Sequence, residues 1–202
     1  MRPLALAALF LAACTKQPPA PAPAAPARAT APEKVAYRDA DGKILCAIKA
    51  RDDGYRLLDG ADQPLGEVKV QEDRVKLRDP KDVEQWKVKR KDYGAEIENA
   101  AGVRLYRIKK EGDAWKLEDA ADRTVAKAKP KENGFELRDP DGKTIAKAKR
   151  REDKVVLEAE DGRRLGDVHG VTDPLAAMWF SLDRLSLAER AALCAYFLRV
   201  HR

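Results

Sequence analysis

A repeat of twenty residues constrains the fold of this chain more than any other feature. Seven consecutive rows of that length run without an insertion from Lys34 to Asp173. The sixth row, for example, reads GFELRDPDGKTIAKAKRRED. Self-similarity at a fixed period indicates that one small structural unit is stacked on copies of itself.

Each row has the pattern of a β-hairpin. Its second and fourth positions are apolar, as in Trp115 and Leu117, which is typical of a half-buried strand. An Asp or Asn at position six and a frequent Gly at position nine, such as Asp39 and Gly42, favour a hairpin turn. A second strand follows with an apolar residue at position fifteen. Residues 34–173 therefore predict about fourteen short antiparallel strands in a meander, a mainly β fold.

Position twelve is also usually apolar, although it has the wrong parity for the face that position fifteen occupies. We expect it to lie at the turn or beside a β-bulge. This position holds Leu45, Leu65, Leu105, Ile145 and Leu165.

A sheet with one apolar face must cover that face. Because a sheet of so many strands tends to curl, and closure removes its edges, we expect the seven hairpins to close into a barrel. The alternative is an open, elongated meander with helices lying across one face or one end.

Residues 174–202 follow a different pattern and predict helices that pack on or inside the sheet. Ser186 and Glu189 have capping-box spacing, so a helix should begin near Leu187. Its centre reads AALCAYFL and is apolar on every side, which is typical of a buried helix. A shorter helix should precede it. We further expect four small residues of rows five and six to make room for the terminal helix: Ala126, Ala128, Ala146 and Ala148.

Residues 1–13 predict an export signal. Arg2 precedes an apolar run that ends at Cys14, and the run is too short to span a bilayer as a helix. Leu11-Ala12-Ala13-Cys14 resembles the bacterial lipobox, in which the cysteine is acylated and becomes the new N-terminus. The resemblance implies a lipoprotein with Cys14 as the lipidation site. An ordinary signal peptide or a buried N-terminal helix is the alternative.

The lipidated cysteine begins a proline- and alanine-rich segment, residues 14–33, that predicts an extended tether. In the lipoprotein pattern an Asp after the cysteine favours the inner membrane. This chain has Thr15 there, so the expected location is the outer membrane, facing the periplasm.

The net charge of +6 and the pI near 9.2 are compatible with attraction to anionic surfaces. Basic residues at positions fourteen and sixteen of rows three to six form a candidate anion-binding face for lipid or glycan. Nucleic acid is not an expected partner of an exported chain. The alternative is a solvated face whose cations pair with Glu96, Glu98, Glu118 and Glu136. The candidate residues are Lys87, Lys89, Arg107, Lys109, Lys127, Lys129, Lys147 and Lys149.

Two further cysteines are predicted to face the core. Cys46 shares the parity of the inward position fifteen, and Cys194 lies in the apolar helix. In an oxidising compartment they can form a disulfide. The alternative is two small buried hydrophobic side chains.

The sequence offers no set of catalytic residues. Serine occurs only at Ser181 and Ser186, and histidine only at His169 and His201. The DxDG segment at Asp39 starts like a calcium loop but lacks the further oxygen ligands, so a turn explains it. We therefore expect no enzyme activity, cofactor or metal. A structural or interaction module at the cell envelope is the expected function, with anionic lipid or glycan binding as the alternative.

The predicted architecture also resembles a known superfamily. A meander that ends in one wholly apolar helix is similar to the tubby-like barrels, which include LURP-one-related and phospholipid-scramblase-like proteins. Segments 37–43 (YRDADGK) and 137–143 (LRDPDGK) match the style of their strand pairs. The resemblance implies a closed barrel around a C-terminal helix. It supplies no set of ligand-binding residues for this chain.

Overall fold

The computed structural model of the protein describes residues 32–199, which form fourteen β-strands and two α-helices. The predicted signal, lipidation site and most of the tether lie outside the described residues, as does His201. The strands of the first four rows are β1 (Lys34–Asp39), β2 (Ile44–Arg51), β3 (Gly54–Asp59), β4 (Pro64–Val70), β5 (Arg74–Arg78), β6 (Glu84–Lys91), β7 (Gly94–Asn99) and β8 (Arg104–Glu111). Those of the last three rows are β9 (Ala114–Asp119), β10 (Thr124–Lys131), β11 (Gly134–Arg138), β12 (Thr144–Arg151), β13 (Lys154–Glu158) and β14 (Arg164–His169).

The strands form one closed antiparallel meander. Each strand pairs with its neighbours in sequence, and β1 also pairs with β14, with Tyr37 opposite Val168. Closure pairs both edges of the sheet, which removes the strand edges that promote aggregation. The predicted barrel is thus confirmed, and the open meander is excluded.

The turn within each row closes as its sequence predicts. In the first row, Oδ1 of Asp39 accepts hydrogen bonds from the backbone N–H groups of Asp41 and Lys43, at 3.1 and 2.9 Å. Gly42 at position nine has φ +84°, in the left-handed region that favours glycine. Three rows instead place an aspartate there, which tolerates this region better than most residues. These are Asp62, Asp82 and Asp122.

A β-bulge occurs at position twelve of every row. Tyr37 pairs with Cys46 while the next residue, Arg38, pairs with Ile44, so Leu45 is the extra residue. The bulge turns this residue towards the interior against the parity of its strand, which confirms the expectation for position twelve. The equivalent residues are Leu65, Gln85, Leu105, Val125, Ile145 and Leu165. The apolar ones contact the core, whereas the polar Gln85 is exposed.

The meander gives the barrel two different ends. We call the end formed by the seven turns at residues 39–43, 59–63, 79–83, 99–103, 119–123, 139–143 and 159–163 the Asx rim. The opposite end, the link rim, carries the short connections between rows. β1 begins and β14 ends at the link rim, so the chain passes from there into its helical segment.

The helical segment begins with α1 (Pro174–Met178), continues through a 3₁₀ turn at Trp179–Ser181, and ends with α2 (Leu187–Arg199). Glu189 accepts a hydrogen bond from the backbone N–H of Ser186 at 2.7 Å, and Oγ of Ser186 accepts one from the N–H of Glu189 at 3.3 Å. The predicted capping box and helix start are therefore confirmed.

Residues 174–199, here called the plug, fill the barrel. All residues from Ala191 to Leu198 are at most 3% exposed. The ring of Phe180 stacks on Tyr37 of the wall, with centroids 4.7 Å apart, and the Tyr196 hydroxyl donates to the Gly94 carbonyl at 3.2 Å. A helix that is apolar all round is thus buried all round, as its sequence predicts.

The expectation for the alanines of rows five and six needs a correction. Ala146 and Ala148 are buried on β12, but the helix nearest to that strand is α1. Helix α2 lies instead against β2 to β6 on the other side of the barrel. The small side chains of β12 therefore leave room for the lead-in helix, because an alanine lets a helix backbone approach the wall closely. Ala126 and Ala128 are buried on β10, which lies outside the strands that α1 and α2 mainly contact.

Candidate functional site: the basic wall and a cleft at the link rim

The predicted basic face lies on the outer wall, where neighbouring strands supply carboxylates. The register of β6 and β7 places Lys87 opposite Glu98. Glu98 accepts from Lys89 at 2.7 Å and lies 3.2 Å from the Lys87 ammonium. Burial alone would raise the pKa of Glu98, but the hydrogen bonds from Lys89 and Lys87 outweigh it and hold the pKa below its usual value. These two lysines are neutralised within the wall.

The next hairpin repeats the arrangement around Glu118, whose side chain is 3% exposed. Its carboxylate lies 2.8 Å from Lys109, 2.9 Å from Lys116 and 3.8 Å from Arg107. Burial opposes ionisation, yet hydrogen bonds from Lys109 and Lys116 lower the pKa of Glu118. Arg107 and Lys109 therefore face a carboxylate of their own wall.

Rows five and six differ from rows three and four. Lys127 pairs with Glu111 at 3.1 Å and Lys149 with Glu158 at 2.5 Å. Lys129 and Lys147, by contrast, form no ion pair with any residue between 32 and 199. The ammonium of Lys147 donates to the backbone carbonyl of Glu160 at 2.9 Å. Of the eight candidate residues, the two without an ion pair thus lie on β10 and β12.

A cleft of about 350 Å³ opens beside these strands, at the link of residues 132–133 and the end of β12. Five basic side chains line it against two acidic ones, Glu132 and Glu136. Asn133, Gly134, Phe135 and Ala148 complete the lining. The basic residues are Lys131, Lys147, Lys149, Arg150 and Arg151.

Two arginines of the cleft have no carboxylate partner among the described residues. Arg150 donates from Nε to the Thr172 carbonyl at 2.6 Å, which fixes the guanidinium without neutralising it. Arg151 is exposed and forms no hydrogen bond or ion pair within the described part of the chain. The repeat identified Lys147 and Lys149 of this cleft but missed Arg150, because position seventeen has inward parity. Its place at the end of β12, where the wall meets the rim, is the signal that identifies it.

Glu136 lines the cleft and accepts three hydrogen bonds. It accepts from Arg138 Nε at 2.7 Å, Lys131 Nζ at 3.0 Å and Thr144 Oγ1 at 2.9 Å. The hydrogen bond from Arg138 is the largest cause that lowers its pKa, from 4.5 to about 2, and it overcomes the effect of burial. Glu136 is therefore ionised at every pH at which the fold is expected to be stable.

We expect the ionisation of Glu136 to make the free energy of unfolding depend on pH. Because its folded pKa is depressed, the stabilisation is complete above about pH 5 and is lost as the pH falls towards 2; it corresponds to roughly 3 kcal/mol at neutral pH. Urea unfolding from pH 7 to pH 2.5 should show Glu136→Gln to be destabilised at pH 7 and to converge with the wild type in acid. Glu132→Gln removes an exposed carboxylate of the same link and serves as the control. A pH slope that is identical in both variants would contradict the assignment.

The two core cysteines are free thiols in the structure and both are fully buried. Burial raises the pKa of the Cys46 thiol to about 12, and it raises that of Cys194 further above its usual value. Neither is thus activated as a nucleophile. Helix α2 does approach β2, the strand of Cys46, so the disulfide stays a prediction for an oxidising compartment.

The other candidate residues have structural surroundings. His169 lies on the outer wall, with Nε2 3.2 Å from Asp167 Oδ1. Within residues 32–199, no group of three or more His, Cys, Asp or Glu side chains is arranged to hold a metal ion. In the same range, no helix has the length and apolar character needed to cross a membrane.

Comparisons with known proteins assign the chain to no family. No protein-family model matches the sequence, and no curated protein matches it. The structure is similar to an X-ray structure of a protein from Arabidopsis thaliana, with a TM-score of 0.41 and 13% sequence identity over 72% of this chain and 85% of that chain. Similarity at this level supports no conclusion, so the resemblance to tubby-like barrels stays a prediction from the sequence.

Proposed function

We propose that the protein is a non-enzymatic, lipid-anchored interaction module of the cell envelope. The observation that carries the proposal is the filled barrel. Its own plug occupies the interior with side chains that are almost wholly buried, from Ala191 to Leu198. Partners must then bind at the rims or on the outer wall, which are the surfaces that an adaptor or scaffold uses.

The surroundings of the polar residues support the absence of catalysis. Ser186 serves in the helix cap at the Asx rim, whereas His169 ends β14 at the link rim. A nucleophile and base must lie within hydrogen-bond reach of each other, and these two residues are at opposite ends of the barrel. The buried thiols, with raised pKa values, are unsuited to the role as well.

The anchor follows from Leu11-Ala12-Ala13-Cys14 and the tether behind it. Acylation of Cys14 holds the barrel at a membrane, and Thr15 favours the outer membrane facing the periplasm. Several acyl chains give stable anchoring, where a single chain gives only marginal binding.

Cys14→Ser is the direct test of the anchor. We expect the wild-type chain to partition into the detergent phase of a Triton X-114 separation, and the variant to move to the aqueous phase because it cannot be acylated. Cys46→Ser removes a cysteine that is not at the lipobox, and it should leave partitioning unchanged. If Cys14→Ser stays in the detergent phase with the wild type, the anchoring proposal is wrong.

A second candidate function is binding of an anionic lipid or glycan, and the cleft at the link rim favours it. Lys147, Arg150 and Arg151 bring positive charge there with no carboxylate partner among the described residues. A concave site that is partly lined by an aromatic side chain, here Phe135, suits a small anionic group better than the wall of rows three and four, whose lysines are paired with glutamates.

This candidate predicts salt-sensitive binding that depends on the cleft. Vesicles containing anionic lipid, and a carboxylated polysaccharide as a second probe, should bind the protein more weakly as salt rises. Lys147→Gln with Arg151→Gln should reduce binding about tenfold, since two uncompensated charges are lost. Lys43→Gln with Lys143→Gln removes the same charge from exposed positions on the Asx rim and is the matched control. Equal losses in the two double variants would exclude a specific cleft.

A further inference from the structure

Arg150 joins the cleft at the link rim to the start of the plug. It lies at the end of β12, and its Nε atom donates to the Thr172 carbonyl at 2.6 Å. The residue after Thr172 is Asp173, which caps α1. Oδ1 of Asp173 accepts from the Leu175 N–H at 2.9 Å, and its carbonyl accepts from the Ala177 N–H at 3.2 Å. One side chain therefore bridges the cleft and the first turn of the plug.

A second depression, of about 290 Å³, adjoins the cleft and reaches the plug. It shares residues 131–135 and Arg150 with the cleft, and it adds Pro130 and Pro174. Pro174 is the first residue of α1 and is buried. Helix α1 packs on β11, β12 and β13, and the first two of these strands also line the cleft. The cleft and the seat of α1 are thus built from the same part of the wall.

Ion pairing within the wall leaves the cleft with an excess of two positive charges. Two of its five cations are already neutralised by glutamates, in the pairs Lys131–Glu136 and Lys149–Glu158. Lys147 and Arg150 donate only to backbone carbonyls, and Arg151 has no partner among residues 32–199. The one lining carboxylate without an ion pair in that range is Glu132. Three cations against one carboxylate match a ligand with two negative charges.

The charge and the donors of the cleft favour a phosphate monoester. Such a group carries about 1.5 to 2 negative charges at pH 7 and offers three acceptor oxygens. A guanidinium presents a planar fork of N–H donors that suits phosphate oxygens. Arg150 uses Nε for Thr172, and its terminal nitrogens have no acceptor within the described residues. Arg150 and Arg151 are both exposed, so a ligand in the cleft can reach them.

We propose that the cleft binds a phosphate monoester and that Arg150 couples its occupancy to the plug. A ligand oxygen on the terminal nitrogens of Arg150 fixes the guanidinium, which then holds Thr172 and the first turn of α1 in place. The proposal rests on the second candidate function, anion binding at the cleft, and adds the ligand class and the response of the fold. A soluble metabolite or a lipid headgroup can carry the group, and the experiment separates the two.

Isothermal titration calorimetry of the full chain in detergent tests the ligand class. We expect saturable binding of glycerol 3-phosphate at pH 7.5 that weakens as salt rises. Dimethyl phosphate is a diester with a single charge, and it should bind about tenfold more weakly. Equal affinity for the two compounds would overturn the assignment to a monoester.

A second arm of the titration identifies the source of the phosphate group. Dihexanoyl phosphatidic acid carries the same monoester on an acylated glycerol. If it binds more tightly than glycerol 3-phosphate, the cleft takes a lipid headgroup. Equal or weaker binding assigns the site to a soluble phosphate monoester. Failure of both compounds to bind would overturn the proposal.

Amide hydrogen exchange tests the coupling to the plug. Saturating glycerol 3-phosphate should slow exchange at Leu175 and Ala177 several-fold, because a ligand stabilises the state that it binds. The Gly42 amide donates to the Asp39 carbonyl on the Asx rim, and its exchange should not change. Equal slowing at both rims would mean that the ligand stabilises the whole barrel, which would overturn the coupling.

Matched variants separate binding from coupling. Arg150→Lys keeps the charge but lacks the Nε donor to Thr172, so saturating ligand should no longer slow exchange at Leu175. Arg151→Lys makes the same change beside it and should retain the slowing. If both variants retain it, Arg150 does not carry the coupling. If neither phosphate compound binds while anionic vesicles or the carboxylated polysaccharide still do, the phosphate assignment falls and the second candidate function stands. If no anion binds, both fall.

Discussion

A chain that ends at Asp173 is expected to lose the closed barrel, although it retains every strand. The plug supplies at least eight large side chains to the interior, and each buried side chain of this size contributes about 1.5–3 kcal/mol. Their sum, about 12–24 kcal/mol, is as large as or larger than the roughly 5–15 kcal/mol by which a domain of this size is usually stable. The members are Leu175, Met178, Trp179, Phe180, Leu193, Tyr196, Phe197 and Leu198.

Near-UV circular dichroism and binding of a hydrophobic dye measure this loss. The truncated chain should show no fixed aromatic signal, bind the dye, and unfold without a cooperative transition. A chain that ends at Arg199 lacks only the last three residues and is the control, which should resemble the full chain. If the chain that ends at Asp173 unfolds as cooperatively as the control, the plug is not part of the folding core.

The hairpins were predictable because their determinants are local. Asp39 and Gly42 select the turn through their own backbone contacts. An Asp or Asn recurs at position six in six of the seven rows, with little dependence on the rest of the fold. The bulge at Leu45 was predictable for a similar reason, because an apolar residue of outward parity can reach the interior only where the strand is irregular. Closure followed from the number of strands.

The position of the helices was harder to predict, because it depends on contacts that are distant in sequence. The capping box at Ser186 fixed where α2 begins, and the all-round apolar character of its centre indicated that it is buried. Neither feature states which wall a helix faces. Ala146 and Ala148 correctly indicated that a helix packs closely against this part of the wall, but that helix is α1.

The repeat predicts where the lysines of the wall lie, but their ion-pair partners depend on the register between strands. The repeat placed Lys87 and Lys109 on the wet face, and the register between strands then set a glutamate near each. Pairing is visible in the sequence once the register is known.

Phe197→Ala is expected to be the most costly single substitution in the plug that still allows folding. Its ring joins three elements: it meets Trp115 of β9 edge-on at 5.4 Å, stacks on Trp179 of the 3₁₀ turn at 5.3 Å, and meets Tyr196 edge-on at 5.4 Å. Truncation removes the buried area, leaves a cavity and breaks these aromatic pairs. A buried Phe→Ala change costs about 3–5 kcal/mol.

Urea unfolding followed by tryptophan emission measures this cost, since two of the partners of Phe197 are tryptophans. Phe135→Ala makes the same chemical change at the link rim, where the ring is only half-buried, and it should cost clearly less because water already reaches part of the side chain. Equal costs at the two positions would mean that the interior repacks around the missing ring. The plug would then be loosely packed. The three ring contacts of Phe197 indicate instead that it packs specifically against the wall and against both parts of the helical segment.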